Sequence, residues 1–150
     1  DANGVIEMTA GTVIVHGPTS SNNGAIDYDI SFTITGGTLV AVGSSRMAQA
    51  PGSTSSQNSI LVGFGSTGSS SQMIHIEDEN GSDVLTFQPG KSYQALTFSS
   101  PALVQGKTYS ILLGGSSDGT SMDGFYKEGE YAGGTIFRNF EISGITTVIQ

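Results

Sequence analysis

Two groups of side chains carry most of the chemistry this chain offers. The first is Asn22 and Asn23 followed by Asp27 and Asp29. These are hard oxygen donors held close together in sequence, the ligand type that Ca2+, with its six to eight oxygens, accepts. The competing use of the same residues is to cap glycine turns or face water. The second group lies in the glycine-rich stretch from Gly114 to Gly134. There Phe125, Tyr126 and Tyr131 have the flat faces that stack on pyranose rings, while Asp118, Asp123, Glu128 and Glu130 accept hydroxyl hydrogen bonds or hold calcium. The alternative is that these aromatics close the end of a β-sandwich.

Other motifs dissolve on inspection. Asp78, Asn80 and Asp83 imitate a calcium loop, but an EF-hand needs a longer loop, a terminal Glu and flanking helices. Asn80-Gly81 between alternating runs reads instead as a hairpin turn. Gly114-Gly115-Ser116-Ser117 lacks the Gly-Lys-Ser/Thr of a phosphate loop. His16 and His75 have no second His or Cys nearby, which argues against a zinc site, and both read as strand-surface or partly buried residues. No Gly-x-Ser-x-Gly elbow is present, and the basic residue a polysaccharide lyase needs on a long concave face has only Arg46 and Arg138 as arginine candidates. The expectation is a noncatalytic protein.

Composition narrows the class further. Thirteen acidic residues face five basic ones, for a formal charge of −8, which removes the clustered Lys/Arg that nucleic-acid binding requires. Glycine fills 22 of 150 positions and charged residues only 12%, a turn-rich β composition. There is no Cys, and no apolar run approaches the ~18 residues of a membrane helix. No signal peptide is present, so a mature form or an excised module of an exported bacterial protein is expected, placed outside the cell or on its surface.

The elements that must position these residues begin with a duplication. Val5 to Gly17 and Ser31 to Gly43 superpose at an offset of 26, sharing Thr9/Thr35, Gly11/Gly37, Thr12/Thr38 and Gly17/Gly43. A period in the twenties, built as strand, tight glycine turn and strand, predicts coils stacked in parallel. Predicted strands are Val5 to Met8, Thr12 to His16, Ala25 to Tyr28, Phe32 to Thr35 and Thr38 to Val42. Ile26, Tyr28 and Ile30 are expected on one face, with Asp27 and Asp29 on the other. Residues 50–58 read as a connector. Beyond it come alternating strands Ser59 to Phe64, Gln72 to Glu77, Val84 to Gln88, Ser92 to Phe98, Thr108 to Leu113 and a long one from Thr135 to Val148. The expected fold is all-β: a short right-handed parallel β-helix over 1–49, then a small antiparallel β-sandwich over 59–150. Two coils cannot bury their own ends, so upstream coils are expected to have been removed, or another chain to stack on the exposed end.

The run Gly11-Thr12-Val13-Ile14-Val15, with Gly17-Pro18-Thr19-Ser20, Asn23-Gly24-Ala25-Ile26-Asp27-Tyr28-Asp29, Thr35-Gly36-Gly37-Thr38 and Gly43-Ser44-Ser45-Arg46-Met47-Ala48-Gln49, resembles a known family. It is similar to the C-terminal part of bacterial extracellular carbohydrate-binding domain-containing proteins with a right-handed parallel β-helix. The likeness extends to the downstream strands and so spans most of the chain. It implies glycan binding without catalysis, an acidic polysaccharide as ligand, and Ca2+ at the helix. The leading expectation is therefore an extracellular, calcium-stabilised module that binds plant or surface polysaccharide. The alternative is a self-assembling subunit of a surface filament or adhesin, joined through the open coil end or the C-terminal strand.

Overall fold

The structure, a computed structural model, describes residues 2–150. Among the described residues it is all-β, with no helix. The short apolar runs that stop at glycines form β1 (Val5–Met8), β2 (Thr12–His16), β3 (Ser31–Ile34) and β4 (Thr38–Gly43). The alternating runs form β5 (Ser59–Gly68), β6 (Ile74–Asp78), β7 (Asp83–Phe87), β8 (Tyr93–Ser99) and β9 (Thr108–Ser117). Then come β10 (Thr120–Met122), β11 (Phe125–Lys127), β12 (Tyr131–Glu141) and β13 (Thr146–Ile149).

The duplication is physical. Val5 of β1 pairs in parallel with Ser31 of β3, Thr12 of β2 with Thr38 of β4, and Ala2 bridges Tyr28. Each pair is separated by the same 26 residues, so the sequence offset is the register of the stack. Gly11 and Gly37 turn the chain at equivalent points with φ of 84° and 93°, a left-handed conformation that a Cβ disfavours. Met8, Ile26, Phe32, Ile34, Leu39 and Ala41 fill the space the two coils enclose.

The parallel stack ends at two coils, and a parallel β-helix is not shown. The far edge of β4 is taken by β8 running antiparallel. The far edge of β3 is closed by the connector: Gly52 N–H donates to Phe32 O at 2.8 Å, Ser56 N–H to Ile34 O at 3.1 Å, and Ile34 N–H to Ser55 Oγ at 3.0 Å. The sheets are mostly antiparallel. β10-β11-β7-β6-β9-β12 form one six-stranded sheet, and β13-β5-β8-β4-β2 form a five-stranded one. Side chains of both sheets, including Val40, Ile60, Ile74, Phe87, Phe98 and Ile111, share one core.

Strands β2 and β4 of the expected coil segment, residues 1–49, lie in one sheet with β5, β8 and β13 of the expected sandwich segment, residues 59–150. Three further expectations are corrected. Residues 25–30 form no strand beyond the bridge at Tyr28, and Ile30 is 71% exposed. The chain is a corner there, pinned where Tyr28 Oη donates to Ala50 O at 2.8 Å and Tyr28 N–H to Gln49 Oε1 at 3.0 Å. The long terminal strand is two strands in different sheets, β12 and β13. Residues 114–134, left outside the predicted strands, are largely strand, with the β10–β11 hairpin inserted.

The two equivalent glycines differ in their surroundings. A Cβ on Gly11 meets nothing within 4 Å, whereas one on Gly37 falls 2.7 Å from Gly11 O. Gly11→Ala is expected to cost about 1–2 kcal/mol through the positive φ alone. Gly37→Ala should lower the urea midpoint clearly further; equal losses would show that the second coil does not press on the first.

Candidate functional site

The first coil leaves its outer edges open. Among the described residues β1 pairs only with β3 and β2 only with β4, so both present unpaired backbone groups on the same side of the stack. Between them lies a concavity of about 450 Å3 walled by Ile6, Met8, Val13, Val15, Ala25 and Phe32, with Glu7 and Asp27 also lining it. Val5 and Val13 are 53% and 42% exposed. Alternation produces this surface, since residues that point into a coil interior have no coil above them to cover them.

β2 is also one edge of the five-stranded sheet, and β13 is the other. β2 is parallel to β4, β4 antiparallel to β8, β8 antiparallel to β5, and β5 parallel to β13. The two open edges of this sheet consequently run in the same direction. β13 shows its own apolar side chain, Val148, at 62% exposure.

The sequence-derived metal residues are dispersed in use. Asn22 Oδ1 accepts from Ser20 Oγ at 2.7 Å, and Asn23 Oδ1 from Gly24 N–H at 2.9 Å, both local turn bonds. Asp29 is exposed, and Asp27 lies at the open coil end. Among the described residues no group of three or more His, Asp or Glu side chains converges on a cation position.

The sugar-platform residues serve several structural ends. Phe125 pairs with Phe87 and packs on the sandwich core. Tyr126 is half-buried on β11. Asp118 Oδ1 accepts from Glu130 N–H at 2.7 Å. Asp123 has φ of 49° and Gly124 of 84°, the two-residue turn that closes the β10–β11 hairpin. Asp123-Gly124 is the sequence signal for this hairpin.

Tyr131 takes part in a cluster that sequence reasoning missed. Its ring stacks on His75 at 3.8 Å, and its hydroxyl donates to Gly114 O at 2.9 Å. His75 is 3% exposed. Thr86 Oγ1 donates to Asp83 Oδ1 at 3.1 Å, so it accepts from His75 Nδ1 at 2.8 Å, and Nε2 faces Glu77 Oε2 at 3.6 Å. The Asn80-Gly81 hairpin is the hidden signal, because it places Thr86 opposite His75. His16 is a second missed tie. Its Nδ1 accepts from Gly90 N–H at 2.9 Å, which leaves Nε2–H to donate to Asp123 O at 3.0 Å.

Burial holds the His75 imidazole below its ordinary value of 6.5, outweighing the opposite pull of Asp83 and Glu77. The unfolded chain thus takes up this proton first as pH falls. The His75 contribution is intact above 6.5 and is lost progressively below it. Denaturation midpoints measured from about pH 7 down to about pH 5.5 should decline, and His75→Gln should flatten that decline. Asp78 acts in a separate window: N–H bonds from Ser82 and Asn80 lower its value below 3.8, so its support is lost only in stronger acid.

No family model, curated protein or solved structure matches the chain. The functional reading therefore rests on the geometry of its open edges.

Proposed function

We propose that this chain is a noncatalytic structural subunit that assembles head to tail, edge to edge, at an extracellular surface. The observation that supports it is the five-stranded sheet whose two outer strands, β2 and β13, are both unpaired on their outer sides and run in the same direction. A second copy displaced along the sheet sets its β13 parallel to β2 of the first. Val148 of one copy then comes to the face where Val13 of the other stands beside the apolar concavity. Such a contact is heterologous, joining two different patches, and a heterologous contact whose rotation does not close builds an open filament. The coil stack itself does not propagate this way, because its other end is covered by the connector and β8. No helix among the described residues is long and apolar enough to cross a membrane. Polysaccharide binding through Phe125, Tyr126 and Tyr131 draws less support, since Phe125 packs on the core and Tyr131 stacks on His75.

The test is sedimentation velocity with electron microscopy over rising protein concentration. The wild type is expected to form growing linear assemblies. Val13→Lys and Val148→Lys place a charge on exposed edge positions, a device that blocks strand addition, and each alone should stop growth. Mixed one to one, the two variants retain one good junction per pair and should give dimers only. Wild-type monomers at every concentration would overturn the proposal, and a dimer untouched by Val148→Lys would point to a two-fold contact between coil ends instead.

A further inference from the structure

A second concavity, of about 430 Å3, is lined by Ser45, just beyond β4, Gly63, Phe64 and Gly65 of β5, Phe137 and Arg138 of β12, and Gln150. Both strands are irregular there. β5 shifts register against β8 between Gly63 and Gly68, and β12 shifts against β9 between Ile136 and Arg138. Bulges of this kind re-aim side chains and interrupt pairing.

The floor is aromatic and fixed. Phe64 is 6% exposed, lies edge-on to Tyr93 at 5.1 Å and meets Phe137 at 5.3 Å with a tilt of 52°. Gly65 has φ of 69° and open space where a Cβ would stand, so the backbone there is bare. The Arg138 guanidinium lies 5.6 Å over the Phe137 ring. No carboxylate of the described residues comes within 4 Å of it, although acids outnumber basic residues thirteen to five in this chain. An arginine left without an anion on so acidic a surface, and oriented over a ring, has its planar donor edge free for a carboxylate.

We propose that this groove binds a ring-bearing organic acid, its ring lying along the bare Gly65 backbone at the edge of Phe137 and its carboxylate taking the Arg138 guanidinium. The volume suits one or two rings. The shared chemistry is a flat or pyranose ring next to a carboxylate, which an aromatic acid and a sugar acid both provide. The site shares no lining residue with the coil-end concavity, and although Gln150 follows directly on β13, neither Arg138 nor Phe137 belongs to the β2 or β13 edge, so its failure leaves the assembly reading standing.

The experiment is a titration followed by backbone amide NMR, with benzoate and glucuronate as the acids and benzyl alcohol and glucose as neutral counterparts. At least one acid should produce saturable shifts at Gly63, Gly65 and Gln150, with the matching neutral compound at least about tenfold weaker. Arg138→Gln, at an exposed position, should keep the fold and lose about tenfold or more in affinity, and Arg138→Lys should recover only part of it. Binding of benzoate alone assigns an aromatic acid, and of glucuronate alone a sugar acid. The proposal falls if neither acid saturates below about 10 mM, if the neutral compounds bind equally well, or if Arg138→Gln binds like the wild type.

Discussion

The constraint on which this molecule depends is that β4 is buried on both faces. Leu39, Val40, Ala41 and Val42 are each no more than 2% exposed, four consecutive residues where a half-covered strand would alternate. Leu39 and Ala41 belong to the coil core, Val40 and Val42 to the sandwich core. Burying an aliphatic side chain of this kind contributes roughly 1.5–3 kcal/mol, so one short strand links two cores whose separate stability would be poor. Two coils alone are fewer than a solenoid needs; these two persist because the outer face of their second sheet is covered by the sandwich.

The same arrangement decides which edges are open. Strand β8 and the connector bond to the far side of the second coil, which leaves the strand edges β1 and β2 of the first coil open among the described residues. The five-stranded sheet that β4 anchors then has β2 at one end and β13 at the other. Both are short, four or five residues. Short edges are one way in which β-proteins limit indiscriminate pairing, and they confine any contact to a partner that also fits the apolar concavity beside β2.

Polar ties hold the layers in place. His16 hangs from the coil strand β2, stacks on Phe87 at 5.4 Å and bonds both the turn at Gly90 and the hairpin at Asp123. Its three contacts join the coil to the six-stranded sheet across the sandwich. His75 does the comparable task outside the sandwich, where Tyr131 covers it and Thr86 and Asp83 fix its tautomer. Tyr131 fits closely because Gly134 has no side chain; a Cβ there would overlap the Tyr131 hydroxyl.

Features that are local or periodic could be read along the chain. The 26-residue offset was legible because parallel pairing needs like residues at like positions, and the glycines at 11 and 37 mark the turns. The Asn80-Gly81 hairpin was legible because that turn requires a positive φ, which Gly81 adopts at 76°. Asp123-Gly124 carried the same signal but was masked by the surrounding glycine-rich composition. Long-range packing set where the coils stop, at two, and joined them to a sheet of the sandwich, since the antiparallel pairing of β4 with β8 brings together residues more than fifty positions apart. It also decided that Tyr131 covers His75 and that Arg138 is left without an acid, because such contacts depend on which strands the fold sets side by side and have no period along the chain.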